Sequence, residues 1–279
     1  MIQTVNHPTT GLPHKFGARI RPPKGARPKF CAKFGDHVKL VDAPASADYT
    51  QAALASLHNI MCNDRLGCCV VAAGYHLLGT LTGNAGALFN ATYAQIIADY
   101  GMIGGYNPSD PSTDQGCDEV TAIDKWTQNG FANNSKVVGA IEVDGTNAAE
   151  VRSSIYLFEG ALLCEELPDA YVNPMPGGDG FLWGVAGDPN PNSGHATMLA
   201  GYDADDAAKV VTWGMIGKKS FEAIAKYNVE SAGGSLYIVL THDILARGVC
   251  KAPNGMEWGD LVADLRSLGA SVPDSAVAQ

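Results

Sequence analysis

The longest apolar stretch of the chain, CVVAAGYHLLGTL from Cys69 to Leu81, has no polar face. A helix that is apolar all round is a buried one, so this segment predicts a central helix. The loop before it, CNDRLG, supplies turn residues and a glycine. Residues 47–60 have room for one short helix. Over residues 86–100 helical spacing puts Leu88, Tyr93, Ile96 and Ile97 on one side. A Gly/Pro/Asp-rich loop follows. Residues 118–129 predict an amphipathic helix with Asp118 in its first turn and Gly130 ending it.

The pattern then changes. KVVGAIEV (136–143) predicts a strand, AAEVRSSIYLF (148–158) a short helix and ALLCEEL (161–167) a buried strand. HATMLAGYD (195–203) and KVVTWGMI (209–216) predict two strands around the turn ADDA. KSFEAIAKY (219–227) predicts a helix, and SLYIVLT (235–241) a last strand. Helices come first and strands afterwards, which predicts an α+β protein with a site between the two halves. The expected organisation is an extended arm over 1–45, a body over 46–268 and a loose tail over 269–279. Within the body, the helical half runs to about 135 and the β-rich half from 136 to about 245. Six prolines and no helix or strand period set the arm apart, and Pro22-Pro23 forces an extended stretch.

Composition narrows the class. Hydrophobic residues make up 46% of the 279 and charged residues 17%, which supplies a core and excludes global disorder. No apolar run reaches the ~18 residues of a membrane-crossing helix. No basic start with an apolar core marks a secretory signal. Seven cysteines, an odd and sparse set, predict a fold that does not depend on disulfides. The net charge of −10 speaks against sequence-specific nucleic-acid binding. Residues 1–40, however, hold eight basic residues against Asp36 alone, a net of +7. Such an arm either lies along the acidic body of its own chain or docks on a neighbour, as a homo-oligomer or with another protein.

The candidate chemistry sits where the buried helix begins. A cysteine is a nucleophile only as thiolate. The first turn of a helix supplies about half a positive charge and unsatisfied N–H groups. Cys69 is so placed, and an imidazolium from His195 would complete a thiolate–imidazolium pair. Gly67 and Gly194, without side chains, let an extended substrate approach the sulfur. Asn63 and the Cys69 backbone N–H are the candidate donors to a developing oxyanion. Cys68 is the rival nucleophile and a candidate substrate contact. Metal chemistry is not indicated: Cys62, Cys68 and Cys69 lack CxxC spacing and no HxxxH follows. GMIGG and PGGDG lack the strand–loop–helix and GK[ST] of a nucleotide site, so no cofactor is expected.

The run NDRLGCCV (63–70), entering an apolar helix, resembles the nucleophile segment of papain-like cysteine peptidases. There an amide side chain lies six residues before the cysteine and a glycine two before it; Asn63 and Gly67 fill those places relative to Cys69. Gly194-His195-Ala196 resembles the family's histidine strand. Trp213-Gly214, 18 residues on, stands where the family has its Asn-Ser-Trp-Gly turn, and Gly116-Cys117 followed by a helix and Asn129-Gly130 is a third echo. The start NDxxGxC and the VTWG strand are similar to those of a papain-like group in bacterial and bacteriophage genomes. The resemblance spans about residues 60–241. It implies a papain-like fold with an antiparallel sheet or barrel half, a peptide or protein substrate, and a cytoplasmic or virion-associated location. It also marks one departure. The family's orienting Asn lies two positions before the Trp, where this chain has Val211; the Thr212 hydroxyl or a backbone carbonyl is left to take its place. Trp213 would shield the histidine's hydrogen bond. Nothing in 1–45 resembles the family's helical propeptide. Two functions follow: a thiol hydrolase cleaving peptide or amide bonds, or a catalytically degenerate papain-fold protein with a structural or binding role in an assembly such as a phage particle.

Overall fold

The computed structural model describes residues 3–19, 43–229 and 234–241, together with Ala263. Pro22-Pro23, most of the basic arm, Cys31, Cys250 and the tail from 269 lie outside the described residues.

A 3₁₀ turn at Gln51–Ala53 runs into the short helix α1 (Leu54–Leu57). Helix α2 (Cys69–Asn84) buries every residue but Asn84, as its all-round apolar character requires. Burying Leu77, Leu78 and Leu81 contributes roughly 1.5–3 kcal/mol each. Helix α3 (Tyr93–Gly104) begins later than apolar spacing suggested. Thr92 and Gln95 form a reciprocal capping box that sets its start. Leu88 precedes the helix and is exposed, as is Tyr93; the buried face is Ile96, Asp99, Tyr100 and Ile103. Helix α4 (Glu119–Asn129) runs as expected, with the Asp118 side chain accepting from Thr121 N–H and Gly130 at φ 81° closing it.

The second half builds one sheet from β3 (Ala47–Asp48), β4 (Val137–Glu142), β5 (Ala161–Pro168), β6 (Leu182–Trp183), β7 (Pro189–Tyr202), β8 (Ala207–Thr212), β9 (Met215–Ser220) and β10 (Ser235–Thr241). Its order is β4-β10-β5-β7-β8-β9-β6, with β3 added on β7. All pairs are antiparallel except β6 with β9. With β4 and β6 at its two edges the sheet stays open, so the barrel alternative is not realised. Helices α5 (Ala148–Phe158) and α6 (Phe221–Tyr227) fall in this half, and both α2 and α5 pack on β7. From Ser193 to Tyr202 every residue of β7 is buried, so both faces of this strand are covered.

Two departures from the sequence reading shape the site. KVVTWGMI is not one strand: Trp213 (φ 50°) and Gly214 (φ 72°) make a two-residue hairpin turn between β8 and β9, with Thr212 facing Met215. The arm is not featureless either. Thr4–Asn6 (β1) and Pro13–Lys15 (β2) pair as an antiparallel hairpin.

Candidate active site

Cys69 opens α2, with Cys68 as the residue that caps it. The loop ahead is held by its own donors: Asn63 Nδ2 donates to Leu66 O at 2.9 Å, and Gly67 N–H to Asp114 Oδ1 at 3.0 Å. Cys68 turns away from the cleft. Its thiol donates to Met61 O at 3.3 Å in the core, and burial pushes its pKa well up. The side chain of Cys68, given by the sequence as a candidate substrate contact, is thus wholly buried.

His195 lies on β7, directly across from Glu165 of β5. Its Nε2 is 2.6 Å from Thr212 Oγ1, while Val211, in the place of the family's Asn, is buried in the β8 ladder opposite Met198. Trp213, carried on the hairpin tip, stacks on the imidazole at 4.2 Å and 22°. Nδ1 of His195 has no hydrogen-bond partner among the described residues. Beyond Glu165, the wholly buried Lys219 pairs with that carboxylate and faces the rings of Tyr171, Trp183 and Tyr227. Neither residue of this ion pair carries a motif that sequence reasoning could use.

What covers the pair is the chain itself. Residues 15–19 cross the cleft with their backbone bonded to both walls. Lys15 N–H donates to Asn63 O at 3.0 Å, and Lys15 O accepts from Asn63 Nδ2 at 3.0 Å and Trp213 Nε1 at 3.5 Å. Gly17 and Ala18 N–H both donate to Gly194 O, at 3.2 and 3.1 Å. Cys117 N–H donates to Gly17 O at 2.9 Å and Arg19 N–H to Cys117 O at 2.9 Å, a parallel bridge of Ala18 with Cys117. The Phe16 ring meets His195 and Trp213 edge-on. Only glycine fits at 17: a Cβ there would lie 1.8 Å from Gly67 O. Gly116, at φ 71°, is as closely approached, its Cβ position being 2.0 Å from Gly17 O.

The cover sets the electrostatics. Burial pushes the Cys69 thiol up to about 11, against the N–H groups of Ala196, Gly17, Val70 and Ala18 that favour its thiolate. Burial pulls His195 down to about 3, helped by the charges of His14 and Lys219. At neutral pH the two are thus a thiol and a neutral imidazole. Residues 15–18 touch Asn63, Gly67, Gly194, His195 and Trp213 and run close to Cys69, and Thr212 is held on His195. Cys117, of the Gly116-Cys117 echo, joins them, and the structure adds Asp114 and the arm residues 15–19. The arm's basic charge was the one sequence signal for this last group, and charge does not say which surface a segment lies on. Among the described residues no His/Cys/Asp/Glu group could hold a metal ion, and no helix is long and apolar enough to cross a membrane.

No protein-family model and no curated protein matches the chain by sequence. Solved structures do match by shape. Xylellain, a cysteine protease from Xylella fastidiosa, superposes with a TM-score of 0.56 at 10% identity over 86% of this chain and 98% of its own. A procathepsin B from Trypanosoma congolense gives 0.55 at 10% identity, covering 81% of this chain and 86% of that one. A digestive procathepsin L from the larval midgut of Tenebrio molitor gives 0.54 at 11% identity, over 79% and 76%. The α+β architecture of this chain is the fold of the papain-like cysteine proteases.

Proposed function

We propose that the chain is a thiol hydrolase of peptide or amide bonds, held in a covered state by its own residues 15–19. One observation carries this reading: a peptide backbone runs past Cys69, hydrogen-bonded to Asn63 and Cys117 of the helical half and to Gly194 of the sheet. A cleft that holds one chain so has the donors and acceptors to hold another. With the arm displaced, water re-enters and the desolvation that keeps Cys69 protonated and His195 neutral is relieved. The thiol proton passes to His195 Nδ1, the nitrogen left without a partner, while Thr212 Oγ1 holds Nε2. The thiolate attacks the substrate carbonyl carbon. Asn63 Nδ2 and the Cys69 N–H at the helix start receive the oxyanion. The imidazolium returns its proton to the leaving amine, and water then hydrolyses the thioester, giving the acid and the free thiol.

The test is a cysteine-directed peptidyl epoxide on the full chain carrying Gly17→Ala, followed by peptide mass mapping. The expected result is rapid alkylation at Cys69, abolished by adding His195→Ala. Alkylation no faster than that of free cysteine, in folded protein, overturns the reading. It would favour the second one, a papain-fold chain kept for binding or assembly, which the un-ionised state of the covered pair supports.

A further inference from the structure

The cover shows more than where a backbone runs, because one of its side chains fills a prepared position. Lys15 Nζ lies 3.0 Å from Asp114 Oδ2. The carboxylate is fixed from behind: Oδ1 accepts Gly67 N–H at 3.0 Å and the Tyr100 hydroxyl at 2.6 Å. The Tyr100 hydroxyl also accepts Gly116 N–H at 2.8 Å, and its ring stacks on Tyr106 at 5.0 Å. Asp114 is therefore tied to the nucleophile loop through Gly67 and, by way of the Tyr100 hydroxyl, to Gly116. Its side chain is 6% exposed, against 29% for Lys15. Both donors at Oδ1 are neutral, so Lys15 is the cation this carboxylate holds. When the arm leaves, a nearly buried carboxylate is left without its counter-charge, which is costly unless another cation takes the place.

We propose that Asp114 is the specificity-determining group of the cleft, forming a subsite for a lysine or arginine side chain of the substrate that Lys15 fills in the covered state. This rests on the thiol-hydrolase reading for its catalytic consequence but not for its binding consequence, and the two are tested apart.

For binding, the heptapeptide PHKFGAR, matching residues 13–19, is titrated calorimetrically against the full-length Gly17→Ala chain. A second peptide carries norleucine in place of the lysine. The expected result is that norleucine weakens binding about 10–100-fold, the range for losing one charge-assisted hydrogen bond. Asp114→Asn keeps an oxygen for Gly67 and Tyr100 and removes only the charge, so it is expected to make the two peptides bind equally. Equal binding of the two peptides to the Asp114 form overturns the proposal whether or not the protein cleaves anything. For catalysis, the same Gly17→Ala chain is profiled on a mixed peptide library. Cleavage with lysine and arginine enriched at one fixed distance from the cut, lost in Asp114→Asn, is expected. Cleavage without that enrichment overturns the proposal and leaves the hydrolase standing. No cleavage and no Cys69 alkylation overturns the hydrolase alone, and the calorimetry still decides on Asp114.

Discussion

Gly17→Ala is the sharpest perturbation of the covered cleft. A Cβ at 17 would sit 1.8 Å from Gly67 O, 2.3 Å from Gly67 C and 2.5 Å from Gly67 Cα, all backbone atoms of the loop before the nucleophile. Backbone of a tight loop cannot yield by the ångström or more that van der Waals contact needs, so the arm must back out. Four hydrogen bonds hold this stretch down: Gly17 and Ala18 N–H to Gly194 O, Cys117 N–H to Gly17 O, and Arg19 N–H to Cys117 O. At about 1 kcal/mol each they sum to about 4 kcal/mol. At about 1.4 kcal/mol per tenfold, the open fraction rises by roughly 10²–10³. The assay is alkylation by iodoacetamide at pH 8, with the rate resolved for each cysteine by mass spectrometry and the fold checked by circular dichroism. The expected result is a rate at Cys69 at least ~100-fold above that of the unmodified chain, set by the same hydrogen-bond sum. Cys68, whose buried thiol donates to Met61 O, and Cys164, buried on β5, should stay slow. An unchanged Cys69 rate in folded protein refutes the reasoning. So does an equal rise at all three cysteines, because that means the core has loosened instead of the arm leaving.

Three further outcomes follow from the site. Thr212→Val leaves His195 Nε2 buried without its 2.6 Å partner and should cost ~1–3 kcal/mol of unfolding free energy in urea titration, with Thr212→Ser restoring it. Lys219→Met strands the buried Glu165 carboxylate and should cost ~3–5 kcal/mol, much of it recovered in the Lys219→Met, Glu165→Gln double variant; an equal loss in the double variant would falsify the ion-pair account. Burial holds His195 down at about 3, so the folded chain binds fewer protons there than the unfolded one below the ordinary histidine pKa of ~6.5. Its contribution to stability is whole above that value and is lost as pH falls towards 3. Urea midpoints should therefore drop between pH 7 and 4.5, and drop less in His195→Gln; parallel curves would remove His195 from the account.

The fold was legible where the pattern was one-sided or the caps were local. The all-apolar run from Cys69 marked a buried helix because no face was left for solvent. Asp118 and Gly130 bounded α4 through contacts with near neighbours in sequence. Apolar spacing misplaced the start of α3 because Leu88 reads like a core residue, while the Thr92–Gln95 box that starts the helix is polar. The periodicity of KVVTWGMI did not show the Trp213-Gly214 turn, which only the resemblance placed there, because the run stays apolar through the hairpin tip. At the site, Cys69, His195, Asn63 and Gly67 had a spacing to be read. Asp114, Lys15 and Gly17 did not, because their meaning lies in who meets whom across about a hundred residues of chain. Lys219 and Glu165 had no spacing to be read either, because only the sheet brings the two together in the interior.

The arm must also survive in a cleft built to hold peptides, and the geometry accounts for that. The groups that approach the Cys69 sulfur from the arm are the N–H groups of Gly17 and Ala18. Their hydrogen bonds go to Gly194 O, and an N–H group near sulfur is not an electrophile, whereas a substrate would offer a carbonyl carbon. Its strand runs parallel to the Gly116-Cys117 wall, and both of its hydrogen bonds to Cys117 are used in that direction. The thiol, pushed up to about 11 by the same cover, is protonated in any case. Facing atoms and protonation state thus both oppose self-cleavage. The purified full chain, held for days at pH 7, should keep an intact mass with no cut between residues 15 and 19. A fragment ending at Lys15, Phe16, Gly17 or Ala18, absent when Cys69 is replaced by Ser, would show that a carbonyl of the arm reaches the sulfur after all and would overturn this account of the covered state.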